Sequence, residues 1–131
     1  MKPIDSSRLS PRASRAARVA AACATALAFS SIAFAHALPT SREPAPNATV
    51  SAPNQVTIHF SEPLEPAFSK ITLTDANSGA AVAGTSEVDP QDKKTMHLAV
   101  QTLAPGRYTV HWNVVASDGH RTHGDYAFTV K

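Results

Sequence analysis

The 131-residue chain carries 12 Lys+Arg against 10 Asp+Glu and a single cysteine, but these totals hide a division at residue 35. Five of the cations (Lys2, Arg8, Arg12, Arg15, Arg18) and the only cysteine, Cys23, fall in residues 1–35, and the remaining 96 residues hold seven basic and nine acidic side chains, a net of −2 with neutral histidine. Residues 36–131 therefore offer no basic surface for nucleic acid or an anionic membrane and no disulfide or thiolate metal site, while being long enough for one compact domain held by its core.

Residues 1–35 read as a secretory signal peptide. A basic start leads into the apolar stretch Val19–Phe34, which closes on Ala33-Phe34-Ala35, an A-x-A cleavage site. A predominantly apolar stretch of 16 residues is short for a spanning helix, and no other segment is long enough. The expectation is Sec export to the periplasm, cleavage after Ala35 and a mature chain, residues 36–131, that does not insert in the membrane. Its first residue is then His36.

The mature segment reads as all-β. Pro39, Pro44, Pro46 and Pro53 keep residues 36–53 extended or turning. Gln55–Phe60 alternates, with Val56, Ile58 and Phe60 on one face and Thr57 and His59 on the other, as a half-buried strand does. A second strand is expected over Phe68–Thr74, then a turn at Asp75–Gly79 and a short strand near Ala81-Val82. Residues 85–93 are polar and predict a loop. Met96, Leu98 and Val100 form an inward row, and Ala104-Pro105-Gly106 a turn. Tyr108, Val110, Trp112 and Val114 form the longest inward row, with His111 opposite. Ser117–Gly124 is the expected connection to a last strand carrying Tyr126, Phe128 and Val130. Six or seven short strands at this spacing are the signature of a β-sandwich or small barrel.

Two features point to metal chemistry. A free N-terminus at His36 places an α-amine beside its own imidazole, so the two nitrogens can chelate one ion. In Asp118-Gly119-His120 a carboxylate and an imidazole stand two residues apart, and in extended backbone they leave the same face. Three nitrogens and one oxygen suit Cu(II), which also heads the Irving–Williams order. Zinc accepts the same donors but prefers a tetrahedron. Cu(I) prefers soft sulfur, and the mature segment has only Met96, which sits in a core row.

The residues His36-Ala37-Leu38 with Ser41, His59-Phe60-Ser61-Glu62, Pro105–Val115, Ser117–His120 and the closing Gly124–Val130 resemble the CopC family of periplasmic copper-binding proteins. The resemblance spans essentially all of residues 36–131. It implies a seven-stranded Greek-key β-sandwich, immunoglobulin-like or cupredoxin-like. It implies one Cu(II) per chain, held by His36, Asp118 and His120, with Glu62 an outer or weak axial contributor. Segment Ala76–Gly84 has no Met or His, so no methionine-rich Cu(I) site is expected. His123 is weighed as a further ligand or partner of the ligands, although i+3 in extended chain points away from His120. His59, His97 and His111 are expected on solvated faces, and Arg121 beside Asp125 or Glu62.

The leading expectation is a non-enzymatic, monomeric copper protein for resistance or homeostasis. It would scavenge or store Cu(II), or deliver it to an inner-membrane copper transporter of the CopD type. The alternatives are a histidine-brace copper oxidase resembling the lytic polysaccharide monooxygenases, and a metal-free β-sandwich interaction module. An aspartate among the donors holds Cu(II) and disfavours the cycling an oxidase needs.

Overall fold

The computed structural model describes residues 36–131. The expected signal peptide, with Cys23 and the cleavage site, lies outside the described residues. Nine strands occur among the described residues: β1 (Pro39–Glu43), β2 (Thr49–Val50), β3 (Gln55–Phe60), β4 (Lys70–Asp75), β5 (Ala81–Val82), β6 (Gly84–Val88), β7 (Thr95–Val100), β8 (Gly106–Val115) and β9 (Arg121–Val130). The expectation was seven; β2 and β5 are only two residues long. One 3-10 turn, Pro66–Phe68, precedes β4. No helix of the described residues is long and apolar enough to cross a membrane.

The strands form two facing sheets, ordered β1-β3-β7-β6 and β2-β9-β8-β4-β5. Alternation explains the arrangement. Each strand has one apolar face, and the two faces can leave water only by closing on each other. Val56, Ile58, Phe60, Met96 and Leu98 come from the first sheet. Ile71, Leu73, Val110, Trp112, Val114, Phe128 and Val130 come from the second. The Phe60 and Trp112 rings meet edge to face across the core, 5.5 Å apart at 72°.

The structure departs from the sequence reading in three places, each with a physical reason. Residues 85–88, expected as part of a polar loop over 85–93, belong to edge strand β6. The strand looks polar because Ser86 turns toward the other sheet, where its Oγ accepts the Ile71 N–H at 2.8 Å. Phe68 belongs to the 3-10 turn and is exposed, so β4 starts only at Lys70. Finally, β9 begins at Arg121, inside the expected connection. Its first inward residues are not large and apolar. Gly124 pairs with Trp112 in the ladder, and a Cβ built on it would lie 2.5 Å from the indole Cζ2. Only glycine lets the indole lie there.

Candidate metal centre

Three segments meet at one end of the sandwich: residues 36–38, the loop 61–65 after β3, and the turn 117–120 between β8 and β9. The turn is tight. The Gly119 N–H donates to Ala116 O at 2.8 Å and the Ala116 N–H to His120 O at 2.9 Å. Gly119 has φ +90°, in the left-handed region that favours glycine. The loop 61–65 is sewn to this hairpin. The Ser117 N–H donates to Pro63 O at 2.9 Å, the Glu65 N–H to Val115 O at 2.8 Å, and Leu64 bridges Ala116.

Asp118 and His120 do come together, though by turn geometry and not by the extended backbone that the spacing suggested. Asp118 Oδ1 accepts the His120 backbone N–H at 3.0 Å. Its Oδ2 lies 3.0 Å from His120 Nδ1. These contacts, the backbone bond first, hold the Asp118 carboxyl below the usual carboxylate range. It therefore stays an anionic oxygen donor in mildly acidic solution.

His36 joins them from the other side. Its ring stacks on that of His120, with centroids 5.4 Å apart and planes 21° from parallel. Among the described residues, no hydrogen bond occupies either ring nitrogen of His36 or Nε2 of His120. No three His, Cys, Asp or Glu side chains among the described residues are placed to hold an ion by themselves. The donor that would complete the set is the His36 main-chain nitrogen, an amide while Ala35 precedes it.

The remaining sequence candidates part company. Glu62 is half-buried and follows Ser61 in the same loop. Among the described residues no hydrogen bond or ion pair ties it to His36, Asp118 or His120. His123 lies on β9 opposite Asn113, on the outer face of the five-stranded sheet. There it lines a shallow groove of about 300 Å³ with Lys70, His111 and Asp125. The structure does not bring it to the His36 cluster. Asp125 takes His111 Nδ1 at 2.6 Å, and no ion pair of Arg121 occurs among the described residues. Two residues the sequence reading missed are Ser61 and Thr122, whose hydroxyls hold residues 36–38 in place. Their partners are main-chain atoms far away in sequence, so no spacing signals them.

Comparison with known proteins identifies the family. The family described as CopC domain matches residues 39–131. Protein YobA of Escherichia coli K12 is 38% identical over 119 residues, covering 89% of this chain and 96% of YobA. Copper resistance protein C of Xanthomonas campestris pv. juglandis is 33% identical over 108 residues, covering 78% and 85%. Among solved structures, PcoC, a methionine-rich copper resistance protein from Escherichia coli, superposes with a TM-score of 0.69 at 35% identity, covering 74% of this chain and all of PcoC.

Proposed function

Because the chain belongs to the CopC family, a family of copper resistance proteins, we propose that its mature form is a periplasmic Cu(II) carrier starting at His36. It binds one ion per chain through the His36 amine and imidazole, Asp118 and His120. The observation that carries this reading is the stacking of His36 on His120, with Asp118 at 3.0 Å from the latter. Imidazole and amine nitrogens with one carboxylate favour Cu(II). Residues 36–131 contain a single methionine, Met96, fully buried in the core, so they lack the sulfur donors that Cu(I) prefers. The protein acts by chelation without catalysing a reaction, as a monomer that hands copper to an inner-membrane transporter of the CopD type.

The ligand atoms must shed protons to bind. Free imidazoles and α-amines do so near pH 6.5 and 7.7–8.0. Copper affinity is thus expected to fall steeply as the pH drops through that range, and a titration flat from pH 8 to 5 would exclude these ligands. The decisive experiment joins the N-terminal mass of the exported protein to its Cu(II) EPR spectrum. A chain starting at His36, with an axial signal and nitrogen hyperfine structure, is the expected result. A different start, or binding equal to that of a His36→Ala variant, would overturn the reading. Glu62→Gln tests the outer role of that carboxylate: a small change in the spectrum with copper retained is expected. Copper-dependent oxidation of a glycan above the level of free copper would favour an oxidase.

A further inference from the structure

Chain termini fray unless something ties them down, yet in the proposed site two of the four donors belong to the first residue. We infer that Ser61 and Thr122 form a hydroxyl clamp that sets the position of His36 and thereby tunes copper affinity. The inference rests on the proposed copper site and adds residues that touch no metal.

The clamp engages the peptide units that follow His36 from two sides. Ser61 Oγ donates to His36 O at 3.0 Å and accepts the Leu38 N–H at 3.0 Å. The Ser61 N–H donates to Leu38 O at 2.9 Å. Thr122 Oγ1 donates to Ala37 O at 2.6 Å. Ala37 between them is fully buried, whereas the Leu38 side chain stays 52% exposed. The segment is therefore seated by its main chain and one small residue, with little help from large apolar side chains.

Each hydroxyl also belongs to an element of the site. Ser61 opens the loop that bonds to Val115 and Ser117. Thr122 comes two residues after His120 on the strand leading out of the Asp118–His120 turn. The clamp thus fixes His36 relative to the very hairpin that carries the other two ligands. Preorganisation of this kind strengthens binding by removing the ordering cost from the binding step. Partners that orient metal ligands typically account for about 10–100-fold in affinity.

The test exports the full-length chain and compares the purified mature forms of wild type, Ser61→Ala, Thr122→Val, Thr122→Ser and His36→Ala. Ser61→Ala and Thr122→Val should each weaken Cu(II) binding by about tenfold and speed copper release. Their EPR spectra should broaden from one species to several, because a loose N-terminus reaches the ion in more than one way. Thr122→Ser keeps the hydroxyl and should restore both affinity and the single spectrum. Thermal unfolding of the metal-free proteins separates positioning from folding. A second measurement needs no variant: in metal-free wild type the Leu38 amide should be protected from hydrogen exchange. Wild-type affinity in both clamp variants, failure of Thr122→Ser to restore it, or free exchange at Leu38 would overturn the clamp. If His36→Ala still abolished binding in that case, the copper site would stand without it. If wild type itself bound no copper, the site would fall first.

Discussion

The end of the sandwich and its outer faces both place histidines beside aspartates, yet only the end stacks two imidazoles with unengaged nitrogens on each other. On the outer face of the four-stranded sheet, His97 Nε2 contacts Asp89 Oδ2 at 3.2 Å, while its Nδ1 meets the amide of Gln55 at 2.7 Å. His59 Nδ1 contacts Thr95 Oγ1 at 2.7 Å. That hydroxyl gives its single proton to Asp92, so the imidazole must be the donor. On the other sheet His111 has Asp125 on Nδ1 and Thr74 on Nε2. A regular ladder sets neighbouring side chains at fixed spacing, where they satisfy one another. The end of the sandwich gathers three segments that are distant in sequence, and there His36 and His120 face each other with nitrogens to spare. An imidazole–carboxylate contact is thus no sign of a metal site unless the imidazole keeps a lone pair unengaged.

The sharpest way to break this comparison is to alter His36 and the outer histidines separately. One extra residue ahead of His36 turns its amine into an amide and removes the chelate. Calorimetry with Cu(II) should show a loss of at least about 100-fold, or about 2.8 kcal/mol at 1.4 kcal/mol per decade. His97→Ala and His111→Ala should bind copper like wild type. A comparable loss in either would mean that the outer faces, not the end, hold the ion.

The next largest effect concerns the frame beneath the site. Gly124→Ala would place a methyl 2.5 Å from Cζ2 and 2.8 Å from Cε2 of the Trp112 indole. Overpacking of this kind costs about 1–3 kcal/mol, and each kcal/mol lowers Tm by about 4–8 °C in a domain of this size. Since Trp112 packs on Phe60, just before the loop that starts with Ser61, tryptophan emission should change with stability. An unchanged Tm and spectrum would show that β9 moves away from the indole at little cost.

This strand also shows what the sequence could and could not reveal. β3, β7 and β8 were legible because large apolar residues alternate where both sheets close on the core. β6 and the start of β9 were not, because Ser86, Thr122 and Gly124 occupy inward positions for a bond or for space, and none of them looks like a core residue. The site divides in the same way. Asp118 and His120 stand out by their spacing, although Gly119 and a tight turn bring them together where alternation was expected to. His36 stands out by its place after the A-x-A motif. The hydroxyls of Ser61 and Thr122 bond only to main-chain atoms of residues 36–38, and such contacts exist only once the chain is folded.

The smallest effect, and the finest test of the contrast, lies in the acid limb of stability. Backbone N–H groups and side-chain donors hold the carboxyls of Asp75, Asp89 and Asp118 below the usual range, and for Asp92 the Thr95 hydroxyl leads. A carboxyl that titrates lower in the folded chain than in the unfolded one adds stability above the unfolded value, about 3.9. That stability is lost as pH falls through the folded value. The metal-free protein should therefore keep its Tm from neutral pH to about 5 and lose it below about 4. Asp89→Asn and Asp118→Asn should each flatten part of this acid limb, because each removes one hydrogen-bonded carboxylate. Their effects on copper should differ. Asp89→Asn alters a carboxylate that accepts the Gln91 and Asp92 backbone N–H groups and contacts His97, all away from the end of the sandwich, and copper affinity should stay at the wild-type level. Asp118→Asn replaces the anionic oxygen 3.0 Å from His120 and should weaken Cu(II) binding by about tenfold or more. If the two variants changed copper affinity alike, the carboxylates would act only through the overall charge, and the distinction between the two regions would be lost.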